Sequence, residues 1–462
     1  MRLCSLPVVA MLAAAMPVQA ETVVLDLPQA ISRALATDPL VIEKQQLVQA
    51  ARSQLREARG AKDWIFDVNG FVGLAPTVRG GLFETTDASG TRSVGIPRNA
   101  FDIDGLSPWY VVEFGAIKPL HTFGKIKHYS RAAAGNIQVK QGDVLLQRNE
   151  TLLNVTRAYN GYLAAKDTRL LLEDALGRLQ SALELVEGWL DEGEGEATQS
   201  DLFALRTGVA MLNRYIAEAQ GFEDIALAGL RLLTGVAPGD RLELADDRLR
   251  PVALPDDELE ALQARALVKR PEVRQLAAGL DARRELMRAK KSEANPNLYT
   301  GVVGLISYAP LREDVTSVSV YDPFNTAGAT PILGLKWDWA SGRQPAQVAQ
   351  AQAELNATLA LKSYAQHGIP FQVAEQYHTV HAHYKMVREL YEASRNGRRW
   401  MLSSLLDFEA GNEKADKVIT AFLAYVQAYS EYLKVVNDYN LHVARLRVVT
   451  GESAETSAGD TQ

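Results

Sequence analysis

The chain of 462 residues has one cysteine, Cys4. A single thiol excludes a disulfide framework and a cysteine metal site. Aromatic residues are scarce at 7%, and there is no excess of positive charge: the formal net charge is -7. Nucleic-acid binding needs a basic face, so that class of partner is not expected. No stretch inside the chain approaches about 18 uninterrupted apolar residues, so no transmembrane helix is expected. Neither a Ser-His-Asp set, a phosphate loop nor a zinc-binding helix is found, so an enzyme and a bound cofactor are not expected. What the chain does have is 47% hydrophobic residues and an abundance of Ala, Leu, Glu, Gln and Arg. That mixture supports a sizeable core and favours helix.

Residues 1–20 read as a secretory signal. Arg2 gives a positive start, Leu6 to Val18 is mostly apolar, and Val18-Gln19-Ala20 places small residues before a cleavage point at Glu21. Cys4 precedes the apolar run and leaves with it. The expectation is an exported protein whose membrane-spanning part, if it has one, is made of strands.

The remainder is written twice. Leu27, Ala34-Leu35 and Pro39-Leu40-Val41 recur as Leu259, Ala266-Leu267 and Pro271-Glu272-Val273. Phe123-Gly124 before a long apolar-periodic stretch parallels Ser341-Gly342, and Leu233-Thr234-Gly235 parallels Val449-Thr450-Gly451. Three fragments in the same order indicate a duplicated domain. The first repeat covers 21–235, a linker 236–255, the second repeat 256–451, and a disordered tail 452–462.

Each repeat reads helix, strand, loop, strand, long helix, turn, long helix. In the first, helix is expected over about 28–61, strands over 64–73 and 109–117, and long helices over 123–190 and 198–233. In the second, helix is expected over about 256–293, strands over 297–308 and 332–339, and long helices over 344–406, with a break near Gly368-Ile369-Pro370, and 414–449. The fold class is therefore mainly α with a small β part. A helix of some 65 residues is roughly 100 Å long, a rod that suits paired antiparallel helices rather than a globular core.

The strands alternate. Trp64, Phe66 and Val68 oppose Asp67 and Asn69; Leu333, Leu335, Trp337 and Trp339 oppose Lys336 and Asp338. One apolar and one mixed face fits a lipid-facing barrel wall and equally fits a sheet packed on a core. Trp64, Trp337 and Trp339 lie beside the helices, where an aromatic girdle belongs. Four strands cannot close a barrel, and an open edge in hydrocarbon costs several kcal/mol per unpaired group. Two, three or four copies give eight, twelve or sixteen strands, with the rods continuing the barrel as a helical tube.

Two charged turns punctuate the rods. Glu192, Glu194, Gly195 and Asp201 stand at the first, Gly411, Asp416 and Lys417 at the second; Lys417 is expected either to pair with Asp201, within or between protomers, or to stand exposed without a partner. His378, His381 and Glu375 share a helix face, with His383 pointing elsewhere; a polar helix face is the expected reading rather than a metal site.

Over about Leu25 to Gly451 the sequence resembles the TolC family of outer-membrane efflux proteins. The resemblance rests on the duplicated helix starts, on Pro119-Leu120-His121-Thr122-Phe123-Gly124, on Trp337 to Gly342, on Gln347 to Leu355, on the Gly195 to Asp201 turn, and on the duplicated Thr-Gly helix ends. It implies a homotrimer: a twelve-stranded barrel in the outer membrane, continued by a periplasmic α-helical barrel. It also implies an exit duct for a tripartite efflux pump or a type I secretion system, gated at the helical tip, with a periplasmic adaptor and an inner-membrane transporter as partners. The other reading is a soluble periplasmic coiled-coil scaffold or adaptor. This chain departs from the family pattern at His121, which replaces an aromatic residue, and at the second turn, where Asp416 comes one residue early and Lys417 follows.

Overall fold

The computed structural model describes residues 22–78, 83–86, 88–90, 92–95, 103–193, 198–312, 321–338 and 342–452. The expected signal 1–20, the cleavage point Glu21, Glu194, Gly195, Trp339 and the tail from residue 453 lie outside the described residues.

The first repeat contributes β1 (Thr22–Leu25), α1 (Leu27–Thr37), α2 (Pro39–Gly60), β2 (Ile65–Val78), β3 (Phe83–Thr86), β4 (Arg92–Gly95), β5 (Ile103–His121), α3 (Lys125–Glu192) and α4 (Gln199–Thr234). After β6 (Arg241–Leu244), the second contributes α5 (Leu259–Lys269), α6 (Pro271–Ser292), β7 (Asn297–Tyr308), β8 (Thr326–Lys336), α7 (Arg343–Glu409) and α8 (Ala415–Val449). The chain divides into two compact units, one of residues 1–47, 140–275 and 362–462, the other of 48–139 and 276–361.

Several expectations are corrected. The opening helix of each repeat is two helices, split at Asp38-Pro39 and at Arg270-Pro271, where Asp38 (ψ 117) and Arg270 (ψ 135) are not helical. The ring of a proline disfavours helical geometry in the residue before it, so the repeated Pro-x-Val motif is itself the break. The break expected at Gly368-Ile369-Pro370 does not occur: α7 runs unbroken with Pro370 inside it. An interior proline costs about 3 kcal/mol. Here Ile369 and Val373 beside it are buried in the core, and the Gln263 side chain donates to the Pro370 carbonyl at 3.0 Å. β7 has the expected bounds, whereas β2 and β5 are longer than expected at their loop ends, and β8 starts at Thr326 and stops at Lys336 rather than spanning 332–339. The stretch 236–255 is not only a linker, because β6 within it pairs in parallel with β1.

In the first unit the core has two parts. One gathers Val155, Tyr159, Leu163, Leu230, Val373, Val380, Leu433 and Tyr439 around β1 and β6. The other packs Leu172, Leu179 and Val186 of α3 against Leu205 and Leu212 of α4, Met401 and Phe408 of α7, and Val418 and Phe422 of α8. The duplicated Thr-Gly ends have a physical cause. Gly235 (φ 63) and Gly451 (φ 85) adopt the left-handed geometry that terminates α4 and α8.

In the second unit β2, β5, β7 and β8 form one antiparallel sheet in that order. The β5–β7 pairing joins the two repeats. All connections to helices leave one end of the sheet, and both hairpin loops leave the other. Among the described residues, each of β2 and β8 has one neighbouring strand.

Candidate functional site

Register decides what each face of the sheet carries. Phe66 stands opposite Ala116, Val68 opposite Phe114 and Val72 opposite Tyr110. The row continues across β7, with Val112 opposite Ile306 and Tyr110 opposite Tyr308, and into β8, with Leu298 opposite Leu335 and Thr300 opposite Leu333. One face is thus apolar across all four strands, and it is bare: Phe66 is 75% exposed, Val68 70%, Leu333 72% and Leu335 59%. Such a continuous bare surface is unusual for a water-soluble monomer and marks contact with something apolar.

The opposite face carries Asp67, Asn69, Glu113, Thr330 and Lys336 among apolar residues. The Asn69 amide donates to Asp67 at 2.7 Å, and Lys336 stands 3.8 Å from Asp338. The two sets separated by sequence alternation therefore remain on opposite sides of one sheet. Trp64 and Trp337 flank the helix-joined end, both about half exposed. The Lys118 ammonium lies 5.9 Å from the Trp64 ring, and the Trp337 indole N–H donates to Ala294 O at 3.0 Å. His121, the departure from the family pattern, packs edge-on against Phe123 with ring centres 4.5 Å apart.

The two charged turns cap the same four-helix packing, where Trp189 of α3 meets Phe408 of α7 at 5.7 Å. Asp201 and Lys417 are not paired with each other in the chain. Asp201 is committed to a capping box at the start of α4: its carboxylate accepts from the Thr198 N–H at 3.0 Å and from the Thr198 hydroxyl, and Thr198 Oγ1 accepts the Asp201 N–H at 3.3 Å. Lys417 instead reaches Glu413 at 2.9 Å, four residues back in the turn that precedes α8. That hydrogen bond holds the Glu413 carboxyl below its usual range and the Lys417 ammonium above its own. Sequence reasoning missed Glu413, although its spacing of four from Lys417 was the available signal. Asp416 lies in the first turn of α8, where a negative charge suits the helix dipole. Glu192 ends α3 and is exposed, and Gly411 (φ 76) follows α7.

His381 packs on Tyr377 at 4.1 Å, while His383 faces His442 of α8 at 4.7 Å. His378 also lies against Tyr377, with ring centres 5.5 Å apart. Among the described residues no cluster of three or more His, Cys, Asp or Glu has the geometry of a metal site, and no helix is long and apolar enough to cross a membrane.

No protein-family model matches the chain, and no curated protein matches it by sequence. Solved structures do. CusC, described as forming a transmembrane channel, superposes with a TM-score of 0.72 at 17% identity, covering 93% of each chain. The CmeC outer-membrane channel of Campylobacter jejuni gives 0.71 at 11% identity, over 92% of this chain and 85% of that one. The open MtrE outer-membrane channel of Neisseria gonorrhoeae gives 0.65 at 16%, over 92% and 88%. Over 92–93% of its length this chain has the fold of these solved channels, which are members of the TolC family.

Proposed function

We propose that the protein is an outer-membrane exit duct, working as a passive channel in a tripartite efflux pump or a type I secretion system. The observation that carries this reading is the sheet register, which gathers a bare apolar face across four strands and opposes it to a mixed polar one. Lipid is the solvent that suits the first face, and a water-filled lumen suits the second. On this reading Trp64, Leu333, Leu335, Trp337 and Trp339 meet lipid, and Asp67, Asn69, Lys336 and Asp338 line the lumen.

The edges support an oligomer. Among the described residues β2 and β8 each lack a second partner strand, and an unpaired edge is not tolerated in hydrocarbon. Pairing β8 of one copy with β2 of the next closes the sheet; three copies give twelve strands. The channels with this fold support a homotrimer with the helices in the periplasm, a periplasmic adaptor and an inner-membrane transporter as partners. The tip residues Glu192, Glu194, Gly195, Asp201, Gly411, Asp416 and Lys417 then form the periplasmic entrance and its gate. Repeated by threefold symmetry, their charges ring the opening and focus potential there.

Reconstitution tests the reading. The protein should sediment with outer membranes, leave them as a detergent-soluble trimer and conduct ions in a planar bilayer. Recovery as a soluble monomer without conductance would instead support a periplasmic scaffold or adaptor.

A further inference from the structure

A single-layer sheet leaves both faces open, yet part of the polar face near the loop end is buried. Ala75 and Ser107 are 0% exposed, Val111 3% and Ser307 4%. The chain on either side of the β7–β8 loop, residues 309–312 and 321–325, lies against Ser107 and Ser307: the Leu311 N–H donates to Ser107 Oγ at 3.1 Å, and the Ser307 hydroxyl lies within hydrogen-bond reach of Pro323 O and Phe324 O.

This second layer is tightly built. The Trp109 indole lies against the strand at Gly73, where a Cβ would stand 3.1 Å from the ring. It packs edge-on against Phe71 at 5.2 Å and Phe324 at 5.1 Å. Its N–H donates to Ser307 Oγ at 2.7 Å, and the Ser307 hydroxyl lies 2.8 Å from Pro323 O. Arg312 donates to Asp322 at 3.0 Å and to the Pro76 carbonyl at 2.6 Å, with its guanidinium 4.9 Å from the Phe324 ring. The Asp322 side chain is 4% exposed. A fully hydrogen-bonded, largely buried polar network leaves little freedom to the segments that carry it.

We infer that these segments form a fixed collar on the inner wall at the outer end of the duct, setting the size of what leaves it. The inference rests on the reading that the polar face lines the lumen. Mass added to that face narrows the opening, and threefold symmetry places three collars around one exit. The residues that set the exit are Trp109, Phe324, Arg312 and Asp322. None of them belongs to the turns between the long helices.

The test labels intact cells from outside. In a Cys4→Ser chain, Asp67→Cys places a thiol on the polar face beyond the collar, four residues from Phe71, or roughly 13 Å along the strand. Tyr321→Cys places one on the exposed outer side. A small charged methanethiosulfonate should label both, and a bulky polyethylene-glycol maleimide only Tyr321→Cys. Adding Phe324→Ala, or Arg312→Gln where that variant does not assemble, should admit the bulky reagent to Asp67→Cys. If the bulky reagent labels Asp67→Cys as readily as Tyr321→Cys with the collar intact, there is no collar. If it stays excluded after both collar changes, something else narrows the exit and the inference is wrong. Should the small reagent label Val68→Cys and not Asp67→Cys, the lumen reading itself fails, and the collar with it.

Discussion

Lys417 holds Glu413, four residues back in the turn that precedes α8, at 2.9 Å, while Asp201, the acidic partner suggested by the neighbouring turn, is bound into the cap of its own helix. The charge at the tip is therefore organised within each turn. Reversing Lys417 alone sets two acids at a spacing of four, and the turn should loosen. Lys417→Glu is expected to raise basal conductance in a planar bilayer, and Glu413→Lys in the same chain to restore it. Restoration by Asp201→Lys instead would reassign the pairing to a contact between protomers. Because the pair rests on an ionised Glu413 whose pKa is depressed, it is intact at neutral pH and lost as pH falls through that lowered value.

The two faces of β8 should answer differently to charge. Leu335→Arg puts a guanidinium on the bare apolar face and should cost about 2–4 kcal/mol near a bilayer midplane, less near an interface. Lys336→Glu, on the opposite face, should leave the trimer intact and change ion selectivity. Trimer yield after detergent extraction, with single-channel recording, reads both.

Within the sheet, Gly301 has no room for a side chain: a Cβ there would collide with the Ala116 carbonyl oxygen of the adjacent strand. Gly328, on the last strand, has open space around its would-be Cβ. Gly301→Val should therefore disrupt the β5–β7 pairing and prevent assembly, whereas Gly328→Ala should assemble normally. Heat-modifiable migration on a gel separates the two outcomes.

Acid should weaken the α7–α8 packing at one point. Burial, then the neighbouring His383, hold the His442 imidazole below its ordinary pKa near 6.5. His383 and Gln376 face it from α7, and Arg445 and Asp438 stand beside it on α8. The folded state thus favours neutral His442, and its contribution is complete above about 6.5 and lost as pH falls through the lowered value. Melting temperature should drop between pH 7.5 and 5, and His442→Gln should flatten that slope.

The long elements were legible because their periodicity is local: apolar residues at three and four mark α3 and α8, and alternation marks β2 and β8. The duplicated prolines and the Thr-Gly ends were visible as repeats, although their meaning as a break and as left-handed caps needed backbone geometry. Pairings distant in sequence were not legible. β1 and β6 are four residues each, with no turn to bring them together. Pro370 was read from its own chemistry, and the buried Ile369 and Val373 beside it in a continuous helix were invisible. The Trp109, Ser307, Arg312 and Asp322 cluster depends on the register between strands of different repeats, which no local pattern encodes.

The most direct test of the central claim is a fluorophore carried on single cysteines at Leu333, Gly334, Leu335 and Lys336 in reconstituted trimers, quenched by brominated lipid and by aqueous iodide. The expected result is a period of two: lipid quenching at 333 and 335, iodide quenching at 334 and 336. Equal iodide quenching at all four positions, with none from lipid, would contradict a membrane-spanning sheet.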